Sequence, residues 1–268
     1  MNKKKYRFGI STTVDYTVSI ESILKHAADA GFSFLSLGAN HKQSHFWDME
    51  RFKEIRDEAE ELGIPIESLH IPFGEGFDLS YPDEAERRLA IANTVKYIER
   101  SYSYGIDSVI IHPHHYLKES KETALSRSRE SLEEIIMQAP ADIRLNIENL
   151  PDDRGSWICS GLLDHFDSGE LGWCYDSSHE NISGEPFHLL EKHYDRLAVT
   201  HLSDNMGEDD DHLIPGEGVI EWRRMRGIVD RKEALTDLLF EVGTGDRLAE
   251  PVEVFIRRAF KRALEYFG

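Results

Sequence analysis

The chain alternates between short apolar segments and longer amphipathic segments from one end to the other. The short segments have the length and apolar content of buried strands, and they occupy residues 6–11, 32–38, 65–71, 106–113, 142–150, 171–178, 197–204 and 234–242. A segment with helical spacing of apolar residues follows each of them. Eight consecutive strand–helix units in 268 residues predict a (β/α)8 barrel, the TIM-barrel fold of the α/β class, as one domain over residues 1–268.

An open doubly wound sheet is the alternative that the same alternation permits. That fold usually carries a glycine-rich phosphate-binding loop after its first strand, and the segment YRFGISTTVDYT (6–17) contains none. No linker, repeat or low-complexity segment divides the chain. The closed barrel is therefore the favoured interpretation.

The charge and the cysteine content narrow the class of protein. The 31 basic and 50 acidic residues give a formal net charge of −19, which makes nucleic acid an unfavoured partner without excluding it. Cys159 and Cys174 are too few for a disulfide framework or a cysteine-rich zinc site. The first residues form no apolar signal segment, and no apolar run reaches the roughly 20 residues of a membrane span. We therefore expect a cytoplasmic protein with no membrane association.

Histidines and carboxylates recur where the third to eighth predicted strands end. In chain order they are His70, His112, Glu148, Asp176, His179, His201, Asp210, His212 and Glu241. Each one alone is more often a structural histidine or a solvated carboxylate. In a closed barrel, however, the carboxyl ends of all strands converge on one mouth, where active sites form. The set as a whole therefore predicts a functional site.

So many imidazoles and carboxylates in one mouth need a cation to offset their desolvation and mutual repulsion. Mixed histidine and carboxylate ligands suit Mn²⁺, Co²⁺, Zn²⁺ or Fe²⁺ better than calcium. The acidic loop GEDDD (207–211) lacks the sixth-position glycine and closing glutamate of a calcium loop. The sequence therefore predicts a divalent-metal site, with a purely structural role for these residues as the alternative.

Five short motifs resemble a known group, the xylose-isomerase-like TIM-barrel superfamily. They are SLHIPF (68–73), VIIHP (109–113), NIENLP (146–151), CYDSSH (174–179) and HLSDN…DHLIPGEGVIEW (201–222). The superfamily includes sugar isomerases and epimerases, inosose dehydratases and DNA-repair enzymes of the endonuclease IV type. The last motif most resembles the sugar isomerase and epimerase branch.

The resemblance to the sugar branch implies a metal held by Glu148, Asp176, His201 and Glu241. It also implies that the two glutamates move a proton on and off carbon, and that His179 contacts substrate oxygen. The expected activity is isomerisation or epimerisation of a small sugar or polyol with Mn, Zn, Co or Mg. A dehydratase of the same fold remains an alternative, and a homodimer is a possible assembly.

The endonuclease branch uses nine ligands for three zincs, and all nine positions have a match in this chain. Besides the implied metal set and His179, four further metal or substrate residues complete the nine: His70, His112, Asp210 and His212. The loops after the second and third strands lack the DNA-recognition patterns of that branch. Few basic residues are expected near the mouth: Lys42, Lys118 and Arg154. A non-catalytic barrel that binds a sugar or metal is the third possibility.

Neighbouring residues carry weaker expectations. His41 and His45 follow the second strand and could approach the mouth, but a surface position is favoured for both. We expect Asp204 to orient His201 or a neighbouring residue. Trp222 should pack a helix against the barrel. Three aromatic residues either form an apolar wall for a sugar ring or pack helices and loops: Phe46, Trp47 and Phe73.

Overall fold

A computed structural model describes residues 5–115, 119–245 and 250–268. Eight parallel strands form one sheet in the order β7-β6-β5-β4-β3-β2-β1-β8. The strands are β1 (Arg7–Ser11), β2 (Phe34–Leu37), β3 (Ile66–His70), β4 (Ser108–Ile111), β5 (Arg144–Glu148), β6 (Gly172–Asp176), β7 (Leu197–His201) and β8 (Asp237–Phe240). Each lies within one of the predicted strand segments.

The two outermost strands of this sheet meet and close it. Leu202, just after β7, forms a parallel bridge with Phe240 of β8. The side chain of Thr200 adds a second contact, because its hydroxyl accepts the N–H of Leu239 at 2.9 Å. The predicted TIM barrel is thus confirmed, and the open doubly wound sheet is excluded.

Ten α-helices lie among the described residues, and the long ones follow the predicted segments. They are α1 (Ile20–Ala30), α2 (His41–Ser44), α3 (Met49–Glu61), α4 (Glu84–Ser103), α5 (Lys121–Gln138), α6 (Asp153–His165), α7 (Ser177–Ile182), α8 (His188–His193), α9 (Trp222–Val229) and α10 (Val252–Phe267). Polar side chains cap several of their first turns, as Ser19 does for α1 and Asp48 for α3. None of the helices in the described ranges is long and apolar enough to cross a bilayer.

The chain leaves β6 earlier than the sequence indicates. Residues 177 and 178 were expected in the strand, but α7 begins at Ser177. The reason is a helix cap: a side-chain oxygen of Asp176 accepts the backbone N–H of His179 at 2.7 Å. The early turn carries His179 back over the barrel mouth.

Candidate metal centre and active site

Four side chains meet at the carboxyl ends of β5 to β8. Glu148, Asp176 and His201 are the last residues of their strands, and Glu241 follows the last residue of β8. Each offers one ligand atom, and these four atoms all lie within 4.8 Å of one another. All four side chains are buried. Parallel pairing explains the convergence, since Asp176 and His201 are register partners in neighbouring strands.

Glu148 is the hub of a second group. Its Oε1 atom lies 3.1 Å from Nδ1 of His201. Its Oε2 atom lies 3.1 Å from Nε2 of His70 and 3.3 Å from Nε2 of His112. The ligand atoms of Glu148, His70 and His112 therefore form a cluster of their own beside the first.

The acidic loop after β7 supplies a third group. One oxygen of Asp210 lies 3.2 Å from Nε2 of His179 and 3.1 Å from Nε2 of His212, while its other oxygen is buried without a hydrogen-bond partner. His212 adopts a left-handed backbone conformation (φ 49°), and its Nδ1 atom lies 2.9 Å from the carbonyl of Glu241. The structure thus brings all nine side chains singled out in the sequence to one mouth.

The imidazoles hold the two glutamates in their charged form. Burial alone would raise the pKa of Glu148, but His201, His112 and His70 outweigh it, so this pKa lies well below its ordinary value. Burial also raises the pKa of Glu241, and His201 at 2.9 Å overcomes that effect and lowers it. Burial works against the charge on His201 in turn, but Cys174, Glu241 and Glu148 raise its pKa well above the ordinary value.

Asp176 has the opposite environment. Burial raises the pKa of its carboxyl to about 7, and nearby carboxylates, Glu148 first among them, add to the effect against an opposing attraction from His179. Its second oxygen is buried and has no hydrogen-bond partner. Buried polar atoms are rarely left unpaired, and an unpaired carboxylate oxygen on a member of this four-residue cluster fits a cation. Three carboxylates and one imidazole are donors that Mn²⁺, Co²⁺, Zn²⁺ and Fe²⁺ accept.

A cavity of about 630 Å³ opens above the cluster, within the range of small-molecule sites. Fourteen residues line it: Thr13, Tyr16, Ala39, Asn40, Lys42, His70, Pro72, Phe73, His112, Glu148, His179, Asp210, His212 and Glu241. The ring of Phe73 stacks on His112 with centroids 4.4 Å apart, so it forms an apolar wall. Phe46, by contrast, is fully buried among aromatic side chains and lines no part of this cavity.

Sequence reasoning missed several residues of the site, among them a thiol and a phenol close to the metal cluster. The Cys174 thiol forms a close group with Glu148 and His201. Alternation along β6 could have revealed it, because Cys174 and Asp176 are two residues apart and share a face. Tyr16 follows β1 and lines the cavity. Burial and then Glu241 raise the pKa of its hydroxyl, while the backbone N–H groups of Asn40 and Ala39 oppose the shift.

The structure corrects the favoured expectation for His41 and narrows the one for Asp204. His41 is buried instead of lying on the surface, because its Nε2 atom lies 2.9 Å from the carbonyl of His70. Asp204 does not contact His201 through any hydrogen bond of the described residues. Its carboxylate instead accepts three backbone N–H groups and the indole N–H of Trp222, and so organises the loop after β7. Trp222 is buried at the start of α9, as expected.

The basic residues expected near the mouth differ in position. Lys42 lines the cavity, whereas Arg154 is not among the lining residues and donates to the carbonyl of Glu119 at 3.2 Å. Lys118 lies outside the described residues. His45 is exposed, as expected.

Comparison with known proteins identifies the family. The family model of the xylose isomerase-like TIM barrel matches residues 24–258. A relative from Methanocaldococcus jannaschii, protein MJ1311, is 26% identical over 231 residues, which span 81% of this chain and 76% of the relative. Protein y4fM of Sinorhizobium fredii is 36% identical over 104 residues, and the match covers 38% of this chain and only 33% of that protein.

Solved structures of the same shape include several sugar epimerases. D-psicose 3-epimerase of Clostridium cellulolyticum superimposes with a TM-score of 0.79 at 16% identity, over 97% of this chain and 99% of that one. A D-tagatose 3-epimerase-like protein gives 0.79 at 22% identity over 97% of each chain. L-ribulose 3-epimerase gives 0.73 at 16% identity, over 97% and 93%. At these identities the likeness concerns the fold. Together with the family model, which spans most of the sequence, it places this chain in the xylose isomerase-like TIM-barrel family.

Proposed function

We propose that this protein is a divalent-metal-dependent isomerase or epimerase of a small sugar or polyol. One observation carries the proposal: Glu148 and Glu241 belong to a buried four-residue cluster with Asp176 and His201, and both glutamates also line the 630 Å³ cavity. Two carboxylates beside a cation and facing one substrate space are what reversible proton transfer at carbon requires. The sugar epimerases that share the fold support the same class of reaction.

Glu148, Asp176, His201 and Glu241 would hold the cation, and the unpaired oxygen of Asp176 is the observation that supports this assignment. When bound, a divalent cation supplies Lewis-acid polarisation of a substrate carbonyl and the adjacent hydroxyl. His70 and His112 keep Glu148 ionised through their contacts with its Oε2 atom. Glu148 is therefore already charged before a cation or substrate binds.

The two glutamates would then divide the proton transfer between them. Glu241 contacts one imidazole, whereas Glu148 contacts His70, His112 and His201, so Glu241 retains the greater basicity. Glu241 would take the proton from the carbon next to the carbonyl, and the C–H electron pair would form the double bond of an enediolate. Glu148, which is ionised, would first accept the proton of the adjacent substrate hydroxyl and then deliver it to carbon, while Glu241 would give its proton to substrate oxygen. Return to the opposite face gives an epimer, and return to the adjacent carbon gives an isomer.

Solvent exchange tests this proposal directly. The metal-loaded protein is incubated with ketohexoses in D₂O, and deuterium at the carbon next to the carbonyl is followed by NMR. We expect exchange, with Glu241→Gln and Glu148→Gln each slower by about 10²–10⁴-fold, the usual contribution of a general base. The control is Glu67→Gln, since Glu67 pairs with Arg7 at the opposite end of the barrel.

Two outcomes of that experiment would count against the proposal. If Glu241→Gln exchanged deuterium as fast as the wild type, Glu241 would not be the residue that transfers the proton. If the fully metal-loaded protein exchanged deuterium into none of the ketoses, the assignment to the isomerases and epimerases would be contradicted. Loss of water from the substrate alongside exchange would instead identify a dehydratase.

The second candidate is phosphoester hydrolysis by more than one cation. It is favoured by the two additional clusters, His70–His112–Glu148 and His179–Asp210–His212, beside the first. The net charge of −19 opposes a DNA substrate. Elemental analysis separates the candidates: about three zinc ions per chain, with cleavage of abasic-site DNA, would favour hydrolysis, and about one ion would favour the isomerase.

A further inference from the structure

Asn149 follows Glu148, the last residue of β5, and its side chain is fully buried. The register pairs of β5 and β6 end at Glu148 and Cys174, two residues before Asp176. The side-chain amide of Asn149 continues the pairing from there. Its Nδ2 group donates to the carbonyl of Asp176 at 2.8 Å, and its Oδ1 atom accepts the N–H of Asp176 at 2.9 Å. One amide thus bonds both backbone groups of a residue in the metal cluster.

The backbone carbonyl of Asn149 holds a second residue of the mouth. This oxygen lies 2.8 Å from Nδ1 of His179, and because a carbonyl oxygen can only accept, Nδ1 carries a proton. The other ring nitrogen, Nε2, is then the one that faces Asp210, at 3.2 Å. Asn149 therefore fixes the direction in which the imidazole of His179 points into the mouth.

These bonds form a closed ring around the start of α7. The amide of Asn149 bonds the backbone of Asp176, a side-chain oxygen of Asp176 accepts the N–H of His179, and the ring of His179 donates back to Asn149. The indole N–H of Trp173 also donates to Oδ1 of Asn149, at 3.3 Å. Loss of the amide would leave three buried groups without this partner, and such groups are costly to leave unpaired.

We propose that Asn149 is a positioning residue of the metal centre, which holds Asp176 and His179 in a fixed relation to Glu148. The inference rests on the proposed function, in which Asp176 and Glu148 hold the cation. Asn149 is absent from the lining of the 630 Å³ cavity, so it would act through these side chains and not by contact with substrate. Hydrogen bonds that orient metal ligands from behind commonly change metal affinity by about 10–100-fold.

A matched pair of variants separates positioning from stability. Asn146 is a second buried asparagine on β5, and its amide donates to the hydroxyl of Ser108 and the carbonyls of Val109 and Arg144. None of these residues belongs to the metal cluster or lines the cavity. In calorimetric titrations with Mn²⁺, Co²⁺ and Zn²⁺, Asn149→Ala should weaken binding at least about tenfold. Asn146→Ala should lower the stability and leave metal affinity unchanged.

A double-mutant cycle shows whether Asn149 acts through Asp176. In the background of Asp176→Asn, the further change Asn149→Ala should weaken metal binding far less than it does in the wild type. If Asn149→Ala does not fold, Asn149→Ser takes its place, because one hydroxyl cannot bond both backbone groups of Asp176 at once. Equal metal affinity in the asparagine variants and the wild type would overturn the proposal. Fully additive losses in the cycle would overturn it as well.

The imidazole of His179 gives a readout that needs no metal. In protein labelled with ¹⁵N-histidine, the Nδ1–H resonance of His179 is assigned by its absence in His179→Gln. It should be lost through exchange with water in Asn149→Ala and persist in Asn146→Ala. A resonance that persists in both would contradict the hold on His179. A wild type that binds no metal and exchanges no substrate proton, yet shows this loss, would refute the proposed function and keep Asn149 as the anchor of His179.

Discussion

Glu148 and Asp176 end neighbouring strands in the same mouth, yet their surroundings give them different protonation behaviour. Three imidazoles within 3.3 Å keep Glu148 ionised. Asp176 uses one oxygen to cap α7 and leaves the other unpaired, and burial raises its pKa to about 7. A bound dication would replace the proton on Asp176, so this residue should govern metal affinity most directly.

The variant Asp176→Asn isolates that role, because asparagine keeps the acceptor that caps α7 and removes only the charge. We expect the affinity for divalent metal to fall at least about tenfold, since even residues behind the ligands change it by that much. Metal titration by calorimetry measures the effect.

Asp204→Asn is the matched comparison, another buried aspartate at the same end of the barrel. Its carboxylate binds loop N–H groups and the Trp222 indole. We expect lower stability with little change in metal affinity. Equal losses of affinity in both variants would contradict the assignment of Asp176 to the metal.

At the level of elements, the loop between β7 and α9 matters most, because it brings Asp210 and His212 over the mouth. Gly218 permits the path that this loop takes. A Cβ atom on Gly218 would lie 2.1 Å from the carbonyl oxygen of Asn205 and 2.4 Å from Oδ1 of Asp204. Backbone and a fully hydrogen-bonded carboxylate cannot move aside easily, so the loop needs glycine here.

Gly218→Ala should therefore destabilise the protein by about 1–3 kcal/mol, the usual cost of overpacking. Gly227→Ala is the control, since Gly227 is exposed within α9 and an added Cβ meets nothing within 4 Å. That variant should gain about 0.5–1 kcal/mol from helix propensity. Urea unfolding measures both, and a neutral Gly218→Ala would show that the loop adapts.

The contact between α6 and α8 predicts that the stability of the protein depends on pH. Burial, and then Lys192, lower the pKa of His193, whose Nε2 atom lies 2.9 Å from the hydroxyl of Ser160. Because the pKa is lower in the folded protein, the unfolded chain binds the proton more readily. The free energy of unfolding should therefore fall as the pH drops through about 6.5, the ordinary histidine value.

When the pH is lowered from 7.5 to 5.5, the free energy of unfolding of His193→Gln should fall less than that of the wild type. Urea unfolding at the two pH values gives the comparison. An unchanged slope in His193→Gln would mean that other groups account for the effect.

For the whole molecule, closure of the barrel is what makes one site from distant segments. The four-residue cluster draws on β5, β6, β7 and the end of β8, which together begin at Arg144 and end at Phe240. A cation bound there would link four strands that must all be in place at once. Metal binding should therefore stabilise the entire fold rather than one loop.

The protein is first stripped of metal by chelation, and a divalent ion is then added back. We expect the free energy of unfolding to rise by about 2.7 kcal/mol when the concentration of free ion is 100 times its dissociation constant. Urea unfolding with zinc, manganese, cobalt or magnesium measures the gain. Asp176→Asn should show a much smaller gain at the same ion concentration. An unchanged unfolding midpoint with all four ions would contradict a metal centre.

The sequence by itself determined the barrel and the end of it at which the candidate site lies. Short apolar runs typical of buried strands alternate with segments whose apolar residues recur at helical spacing. Both patterns follow from local backbone geometry, so they can be recognised in the sequence. Parallel strands then place every carboxyl end at one mouth, so residues such as Glu148 and His201 could be assigned to it from their strand positions alone.

Tertiary structure decided how these side chains meet and what surrounds them. Whether Glu148 contacts three imidazoles, or Asp176 keeps an unpaired oxygen, depends on distances across the barrel that no local pattern specifies. The favoured surface position of His41 was wrong because a loop brings its partner, the carbonyl of His70, close to it. The partners of Asp204, such as the N–H of Gly216, are likewise set by the path of a loop.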